Sequence, residues 1–240
     1  MKQLFTICLM FGSLAMAAQQ TKVYNDPNAK VRTISAAFTK LNVSSGVQLY
    51  LTQGNEVSLA VSASDAKYED RFKTEVVNGE LKIYYDNKGT NWTNDKNRKL
   101  KAWLAVKDLE ALRGSAGANV IVVNELNAPT FTMDFNSGAQ FKGVLKTVSL
   151  DAEASSGANI QISGKADKSA IAVSSGAAFK GGDLVTQYCS ASANSGAAVK
   201  VEVQKELQAS ANSGGSITYE GDAVVNRGKI NSGGSVRKSN

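Results

Sequence analysis

The sequence predicts an all-β protein, a parallel β-helix or solenoid whose coils are about 19 residues long. Three observations favour this fold. A Ser-Gly phrase recurs at nearly constant spacing, its flanks alternate between apolar and polar residues, and the composition combines 21 Gly with only 2 Pro and 20% charged residues. The glycines of the phrase are Gly117, Gly138, Gly157, Gly176, Gly196, Gly214 and Gly233.

The phrase has the composition of a tight turn, as in Asn136-Ser137-Gly138-Ala139. Glycine accepts positive φ, and an asparagine two residues before it tolerates the left-handed region. From Gly117 to Gly233 the glycines lie 21, 19, 19, 20, 18 and 19 residues apart. We therefore expect residues 114–236 to form stacked coils, with these glycines aligned at one corner.

The flanks of each turn read as half-buried strands because apolar residues recur with period two. Counting from each glycine, positions −7, −5 and −3 are predicted to point inward, as is position +3. The first three inward positions hold Phe131, Met133, Phe135; Leu150, Ala152, Ala154; Ser169, Ile171, Val173; Cys189, Ala191, Ala193; Leu207, Ala209, Ala211; and Asn226, Gly228, Ile230. Cys189 is therefore interpreted as a small buried residue rather than a reactive thiol.

The N-terminus reads as a secretory signal peptide over residues 1–17. Lys2 supplies a positive charge, an apolar run follows from Leu4 to Leu14, and Ala15-Met16-Ala17 is a small-x-small cleavage site. We expect cleavage near Ala17, export to the periplasm, the cell surface or the medium, and no integral membrane segment in the mature chain. Residues 18–33 follow as a polar lead-in.

Residues 34–113 are predicted to form an N-terminal β part of the same domain. Ser44-Ser45-Gly46 is a distant copy of the turn phrase, 71 residues before Gly117. A short helix between Asp65 and Thr74 is expected to pack Tyr68 and Phe72, and Asn78-Gly79 predicts a hairpin. A polar loop over residues 86–99 leads to a strand over residues 100–106.

The order of these segments resembles one family, the head GIN domain family of putative autotransporter adhesins found in Bacteroidetes. The similar segments begin with Leu41-Asn-Val-Ser-Ser-Gly, Leu51-Thr-Gln-Gly-Asn, Glu75-Val-Val-Asn-Gly-Glu-Leu-Lys-Ile and Leu109-Glu-Ala-Leu; serial Ser-Gly-Ala coils follow, then Ile217-Thr-Tyr-Glu-Gly-Asp and Ile230-Asn-Ser-Gly-Gly-Ser-Val. The resemblance spans roughly residues 34–236. It implies a right-handed β-helix and an exported location, and it supplies no catalytic residues.

The residue inventory argues against most catalytic chemistry. The chain has no His, and after cleavage near Ala17 only Cys189 remains of its 2 Cys, so neither a His-dependent triad nor a zinc site can form. We predict no cofactor and no metal. Asp134 and Glu153 are expected to stack on neighbouring coils, but no third acid continues their column.

Charge gives a second surface feature. The formal net charge is +6, and position +4 after the turn holds Lys142, Lys180, Lys200 and Arg237. This basic stripe lacks the clustered Arg and aromatic platforms of a nucleic-acid interface, so no nucleic-acid partner is predicted. The favoured interpretation is a solvated face that also discourages edge pairing.

These observations favour a non-catalytic, exported adhesin-like or binding module that presents repetitive β-helix faces. Its partner would be a glycan, a surface protein or another copy of the chain. The alternatives are a polysaccharide-acting β-helix enzyme and a periplasmic scaffold or small-ligand-binding protein. A cleft that gathers three or more carboxylates would favour the enzyme, whereas exposed aromatic residues would favour binding.

The predicted ligand-binding residues are Trp92, Arg98 and Asn94, in the loop over residues 86–99. The indole ring of Trp92 lies in this loop among amide and guanidinium donors. That combination suits stacking on a sugar or anchoring a protein contact. The competing interpretation is that Trp92 attaches a long loop to the body of the protein.

Overall fold

The computed structural model describes residues 26–89 and 98–239. It is a β-solenoid of about 7 turns whose coils are about 19 residues apart, with 67% of residues in strands and 3% in helix. The strands are β1 (Lys30–Arg32), β2 (Lys40–Val43), β3 (Val47–Gln53), β4 (Ser58–Ala63), β5 (Phe72–Val77), β6 (Glu80–Tyr85), β7 (Leu100–Val106), β8 (Ala111–Gly114), β9 (Asn119–Phe135), β10 (Gln140–Ala154), β11 (Asn159–Val173), β12 (Ala178–Asn194), β13 (Ala198–Asn212), β14 (Ser216–Glu220), β15 (Val224–Ile230) and β16 (Ser235–Lys238). A 3-10 helix spans Ala66–Arg71.

Strands β9 to β13 each run almost the full length of a coil, and neighbouring coils pair in parallel. Equivalent residues lie side by side, so Phe141 pairs with Ile160 and Ile160 with Phe179. Differences in coil length are absorbed by register shifts, for example between Gly181 and Val185 on β12. The near-constant spacing of the turn phrase therefore predicts the cross-coil register correctly.

The turn phrase forms the corner of each coil, as predicted. At the corner that contains Gly157, Ser156 has φ 51° and Gly157 has φ 74°. The N–H of Ala158 donates to the carbonyl of Ser155 at 3.1 Å. Two left-handed central residues closed by this bond are the features of a type I′ turn. The expectation that the left-handed conformation falls two residues before the glycine is wrong, because the residue directly before each glycine adopts it, which is Ala116 in the first copy and serine in the other six.

A ladder of backbone hydrogen bonds joins the corners. The N–H of each corner glycine donates to the carbonyl of the corner residue one coil further along, for example from Gly138 to Ser156 at 3.0 Å. The series begins with Gly46, which donates to Ala116, and extends to Gly214, which donates to Ser232. The corner glycines therefore form one column, which confirms the predicted alignment.

The inward positions predicted from period two are buried in five of the six copies and form one continuous core. The last copy is the exception, because Asn226, Gly228 and Ile230 are exposed. These residues lie on β15, which pairs with β13 at the end of the stack. The inward assignment is wrong for Asn226 and Gly228, because Val225 pairs with Leu207 and Arg227 with Ala209, whereas Ile230 keeps the inward register opposite Ala211.

The N-terminal half of the described chain completes the solenoid in an order that differs from the sequence. Strands β2 and β3 flank the corner at Gly46 and make one coil, which pairs with β8 and β9 on one side. On its other side this coil pairs with β6 and β7. Residues 40–53 therefore lie between a coil made by residues 80–106 and a coil made by residues 111–135.

Antiparallel strands cover the outermost coil at this end. Strand β4 pairs with β7, β1 pairs with β4, and β5 pairs with β6 in the predicted hairpin around Asn78 and Gly79. The 3-10 helix buries Tyr68, whose ring meets the ring of Tyr85 edge to face at 6.2 Å. These elements cap the apolar end of the stack, which repeat proteins require for solubility.

Cys189 is 4% exposed, and burial raises the pKa of its thiol from 9.0 to about 11. The folded protein therefore keeps a proton that the unfolded chain releases, so the free energy of unfolding should fall as the pH rises from 9.0 to about 11. We expect a shallower fall in Cys189→Ala, measured by urea denaturation across this range. Rapid modification of the native protein by a thiol reagent would contradict burial.

Candidate functional site

The loop predicted to bind a ligand replaces the corner turn of the outermost coil. It joins β6 to β7, and these strands pair with β2 and β3 on either side of the Gly46 corner. Trp92 and Asn94 lie outside the described residues, so their predicted role stays a prediction. The structure does place the two ends of the loop, including Arg98.

Arg98 is held against the body of the protein. Its guanidinium carbon lies 3.8 Å from the centroid of the Tyr85 ring, and Nη1 donates to Oδ1 of Asn87 at 3.3 Å. Nη2 donates to the carbonyl of Ser45 at 3.4 Å. In the next coil the equivalent carbonyl, that of Ala116, accepts from the N–H of Gly46. The outermost coil has the loop in place of a corner glycine, so Arg98 supplies the donor for the Ser45 carbonyl and continues the corner ladder.

The two acids that the sequence brings together are adjacent in the structure. Asp134 pairs in register with Glu153, and the next residue of the column is Ala172. On the other side Asp134 is paired with Arg113. Within residues 26–89 and 98–239, no group of three or more His, Cys, Asp or Glu side chains is arranged to hold a metal ion.

Aromatic, basic and amide side chains point outward from the face formed by β7, β3, β9 to β14 and β16. We call it the aromatic–lysine face. Its main column lies four residues after each corner glycine. In stack order it contains Trp103, Tyr50, Ile121, Lys142, Gln161, Lys180, Lys200, Thr218 and Arg237.

A second column runs beside it, two residues after each corner. It contains Lys101, Gln48, Asn119, Gln140, Asn159, Ala178, Ala198, Ser216 and Ser235. Amide side chains occupy four consecutive coils of this column. Neighbouring strands are about 4.8 Å apart, so the face presents hydrogen-bonding groups at a regular interval along the solenoid.

Aromatic side chains occupy one end of the main column. The rings of Tyr50 and Trp103 are stacked, with centroids 5.9 Å apart and an angle of 12° between their planes. Gln48 donates a hydrogen bond to the Tyr50 hydroxyl at 2.9 Å. Both rings are half-buried, so they present a fixed apolar surface with polar tips.

Four of the seven remaining positions of the column are cationic, and the other three are Ile121, Gln161 and Thr218. Lys200 forms an ion pair with Glu220 at 2.8 Å, and this hydrogen bond raises the pKa of Lys200 and lowers that of Glu220. Lys142 and Lys180 are exposed, and within the described part of the chain neither has an ion pair. Their charges are therefore available to an anionic ligand.

The sequence indicates the lysines of this face but not its aromatic end. Tyr50 lies four residues after Gly46, so the turn phrase could have placed it in the column. Trp103 could not be placed in this way because the 86–99 loop replaces the phrase before β7. The cross-strand pairing of Trp103 with Tyr50 is what joins the aromatic and basic halves.

The description "putative auto-transporter adhesin, head GIN domain" belongs to the family model that matches residues 37–223. The chain belongs to this family. The match covers both the capped N-terminal half and most of the serial coils. No curated protein matches the sequence.

Solved structures share the fold. A putative adhesin from Bacteroides fragilis has a TM-score of 0.75 at 16% identity, over 88% of this chain and 92% of that chain. A putative adhesin from Parabacteroides distasonis has a TM-score of 0.70 at 18% identity, over 88% and 96%. A putative lipid binding protein from the same species has a TM-score of 0.60 at 18% identity, over 90% and 98%.

The description of the family names an adhesin and no enzymatic activity. Across residues 26–89 and 98–239, no helix has both the length and the apolar character needed to cross a membrane.

Proposed function

We propose that this protein is an exported, non-catalytic binding module that holds an acidic glycan along the aromatic–lysine face. The observation that carries this proposal is the single outward column in which Trp103 and Tyr50 continue into Lys142, Lys180, Lys200 and Arg237. A linear polyanion matches such a column because both repeat their chemistry along one direction.

The two parts of the face would contribute differently. Exposed lysines attract an anionic chain through long-range forces that salt screens, with a Debye length of about 8 Å at physiological ionic strength. The aromatic pair and the amide column contribute contact area and hydrogen bonds that salt affects less. Because each side chain is mounted on a paired strand, binding has to order the lysine side chains but little of the backbone.

The described ends of the loop, residues 86–89 and 98–99, adjoin β6 and β7 in the coil that contains Trp103, and we propose that Trp92 and Asn94 extend the binding surface there. Arg98 then has a positioning role, since its contacts with Tyr85 and Ser45 fix the end of the loop. The export step of the proposal depends on the signal peptide expected over residues 1–17.

The proposal is tested with a double variant of the exposed lysines, Lys142→Gln with Lys180→Gln. Binding to immobilised polygalacturonate at low ionic strength should weaken by roughly threefold to tenfold, as expected for the loss of two exposed charge contacts. Added salt should weaken wild-type binding more steeply than binding of the variant.

A matched control is the double variant Lys146→Gln with Lys165→Gln. These lysines are also exposed but lie outside the face; they pair in register on neighbouring coils, whereas Lys142 and Lys180 are two coils apart. Equal losses of binding in the two double variants would show that only the net charge of the protein matters, and this would overturn the proposed site. Shortening of the polysaccharide by the wild-type protein would instead favour the enzyme alternative.

The loop is tested separately with Trp92→Ala. If Trp92 contacts the ligand, binding should fall while the melting temperature stays nearly unchanged. A melting temperature lowered by several degrees with unchanged binding would show that Trp92 anchors the loop, and this residue would then be removed from the site.

A further inference from the structure

An open cavity of about 800 Å³ lies at the capped end of the solenoid. The connection from β1 to β2 forms one wall, and the start of β4 and the end of β7 form the other. Its apolar lining residues are Val31, Ile34, Phe38, Val57, Leu59 and Val106. This volume is within the range of sites that bind small molecules.

Two apolar residues that border the cavity are exposed. Val31 is 76% exposed and Val57 is 45% exposed, and both border the same cavity. Ile34 and Phe38 pack against the main core and extend its apolar surface to the cavity. An alkyl chain placed between these residues would remove apolar surface from water on both sides.

Arg32 supplies the polar part of the site. Its residue pairs with Leu59 on β4, and its side chain lines both this cavity and an adjoining polar cavity of about 460 Å³. Within the described residues the Nε of Arg32 is buried and has no hydrogen-bond partner. A buried donor of this kind is rare in native proteins and is satisfied by an acceptor from a ligand or water.

The neighbouring charges favour a monoanion. Lys107 and Asp108 also line the larger cavity and offset each other, which leaves the single charge of Arg32. In the adjoining cavity Glu69 is engaged by an ion pair with Lys30, and the opposite charges of Asp70 and Lys73 offset each other. A concave site with one uncompensated cation suits one molecule with one negative charge rather than an anionic membrane, which binds to clusters of several basic residues.

We propose that this cavity binds a single-chain amphiphile with a carboxylate head group. The carboxylate oxygens accept hydrogen bonds from the Arg32 guanidinium, whose planar donors match them. The alkyl chain lies along Val31, Ile34 and Val57. This site is separate from the aromatic–lysine face, so either can exist without the other.

Laurate below its micelle concentration is the test ligand, with binding measured by isothermal titration calorimetry. We expect binding to the wild type and a loss of roughly tenfold or more in Arg32→Gln, since the charged hydrogen bond is removed. Lys165→Gln, which removes an exposed charge elsewhere, should bind as the wild type does. Dodecanol, which has the same chain without the charge, should bind much more weakly.

Val31→Glu keeps the test decisive if Arg32→Gln does not fold. Val31 is largely exposed, so the change should be tolerated, and its new carboxylate should repel laurate from the cavity. Unchanged laurate binding in folded Arg32→Gln and Val31→Glu, or equal binding of dodecanol, would overturn the proposal. Binding to phosphatidylglycerol vesicles without binding of free laurate would overturn it in favour of a membrane surface. Retention of polygalacturonate binding in these variants would show that the two sites are independent.

Discussion

Phe135→Ala is expected to lower the free energy of unfolding by about 3–5 kcal/mol. Phe135 is fully buried on β9, and its ring meets the ring of Phe141 edge to face at 5.6 Å. Truncation leaves a cavity that paired backbones on both sides prevent from collapsing. Equilibrium urea denaturation measures the change, and Val148→Ala, at an exposed position of the next coil, should cost less than about 0.5 kcal/mol.

The same ring depends on a glycine in the neighbouring coil. A Cβ added at Gly114 would lie 2.4 Å from Cε1 of Phe135, so Gly114→Ala should also destabilise the fold. We expect this cost to be smaller in a Phe135→Leu background, because the side chain that causes the clash is shorter. Additive costs would show that Gly114 is required for another reason.

Gly164→Ala is the second substitution with a large expected effect, a loss of about 3 kcal/mol or more in the free energy of unfolding. Gly164 has φ +116°, a conformation that side chains rarely adopt. An added Cβ would also lie 2.1 Å from the carbonyl oxygen of Leu145 in the neighbouring coil. Relieving that contact would require β10 and β11 to separate, which breaks part of their ladder.

Gly157→Ala is the matched control on the same chain segment. Its φ is +74°, but a Cβ there would have no atom within 4 Å. Only the conformational cost applies, which is roughly 1–2 kcal/mol. Chemical denaturation of the two variants in parallel separates backbone strain from steric contact, and equal costs would contradict the close approach at Gly164.

The serial coils could be predicted from the sequence because each one repeats both its corner and its alternation. Each corner determines where the next strand begins. The constant period then determines which residues pair across coils, as Phe141 pairs with Ile160. Within the corner, the sequence interpretation places the left-handed conformation two residues before the glycine, whereas the residue directly before the glycine adopts it. Serine directly precedes the glycine in all six later copies, whereas asparagine lies two residues before the glycine in only four of them. The position of the serine is therefore the more regular feature of the sequence.

The capped end could not be predicted in the same way. The apolar–polar alternation of residues 40–53 shows which side chains point inward but not which coil pairs with this segment. The next corner glycine in the sequence, Gly117, is 71 residues after Gly46, so the spacing does not identify the neighbouring coil either. Pairing of β2 and β3 with strands on both sides is a long-range property that no local pattern encodes. The place of Trp103 follows from that pairing. The Arg32 cavity follows from another long-range arrangement, the pairing of β4 with β1 and β7, so neither could be inferred from sequence alone.

The insertion of residues 40–53 between later coils has a consequence for how the chain acquires its structure. During synthesis this segment appears before either of its partners, because residues 80–106 and 111–135 both follow it. Until they arrive, Leu41, Val43, Leu49 and Leu51 lack the neighbours that bury them and both strand edges lack partners. Such long-range pairing slows folding, since the intervening loops must close first. A chain that matures in this order stays unfolded for longer, which suits the export that we propose for it.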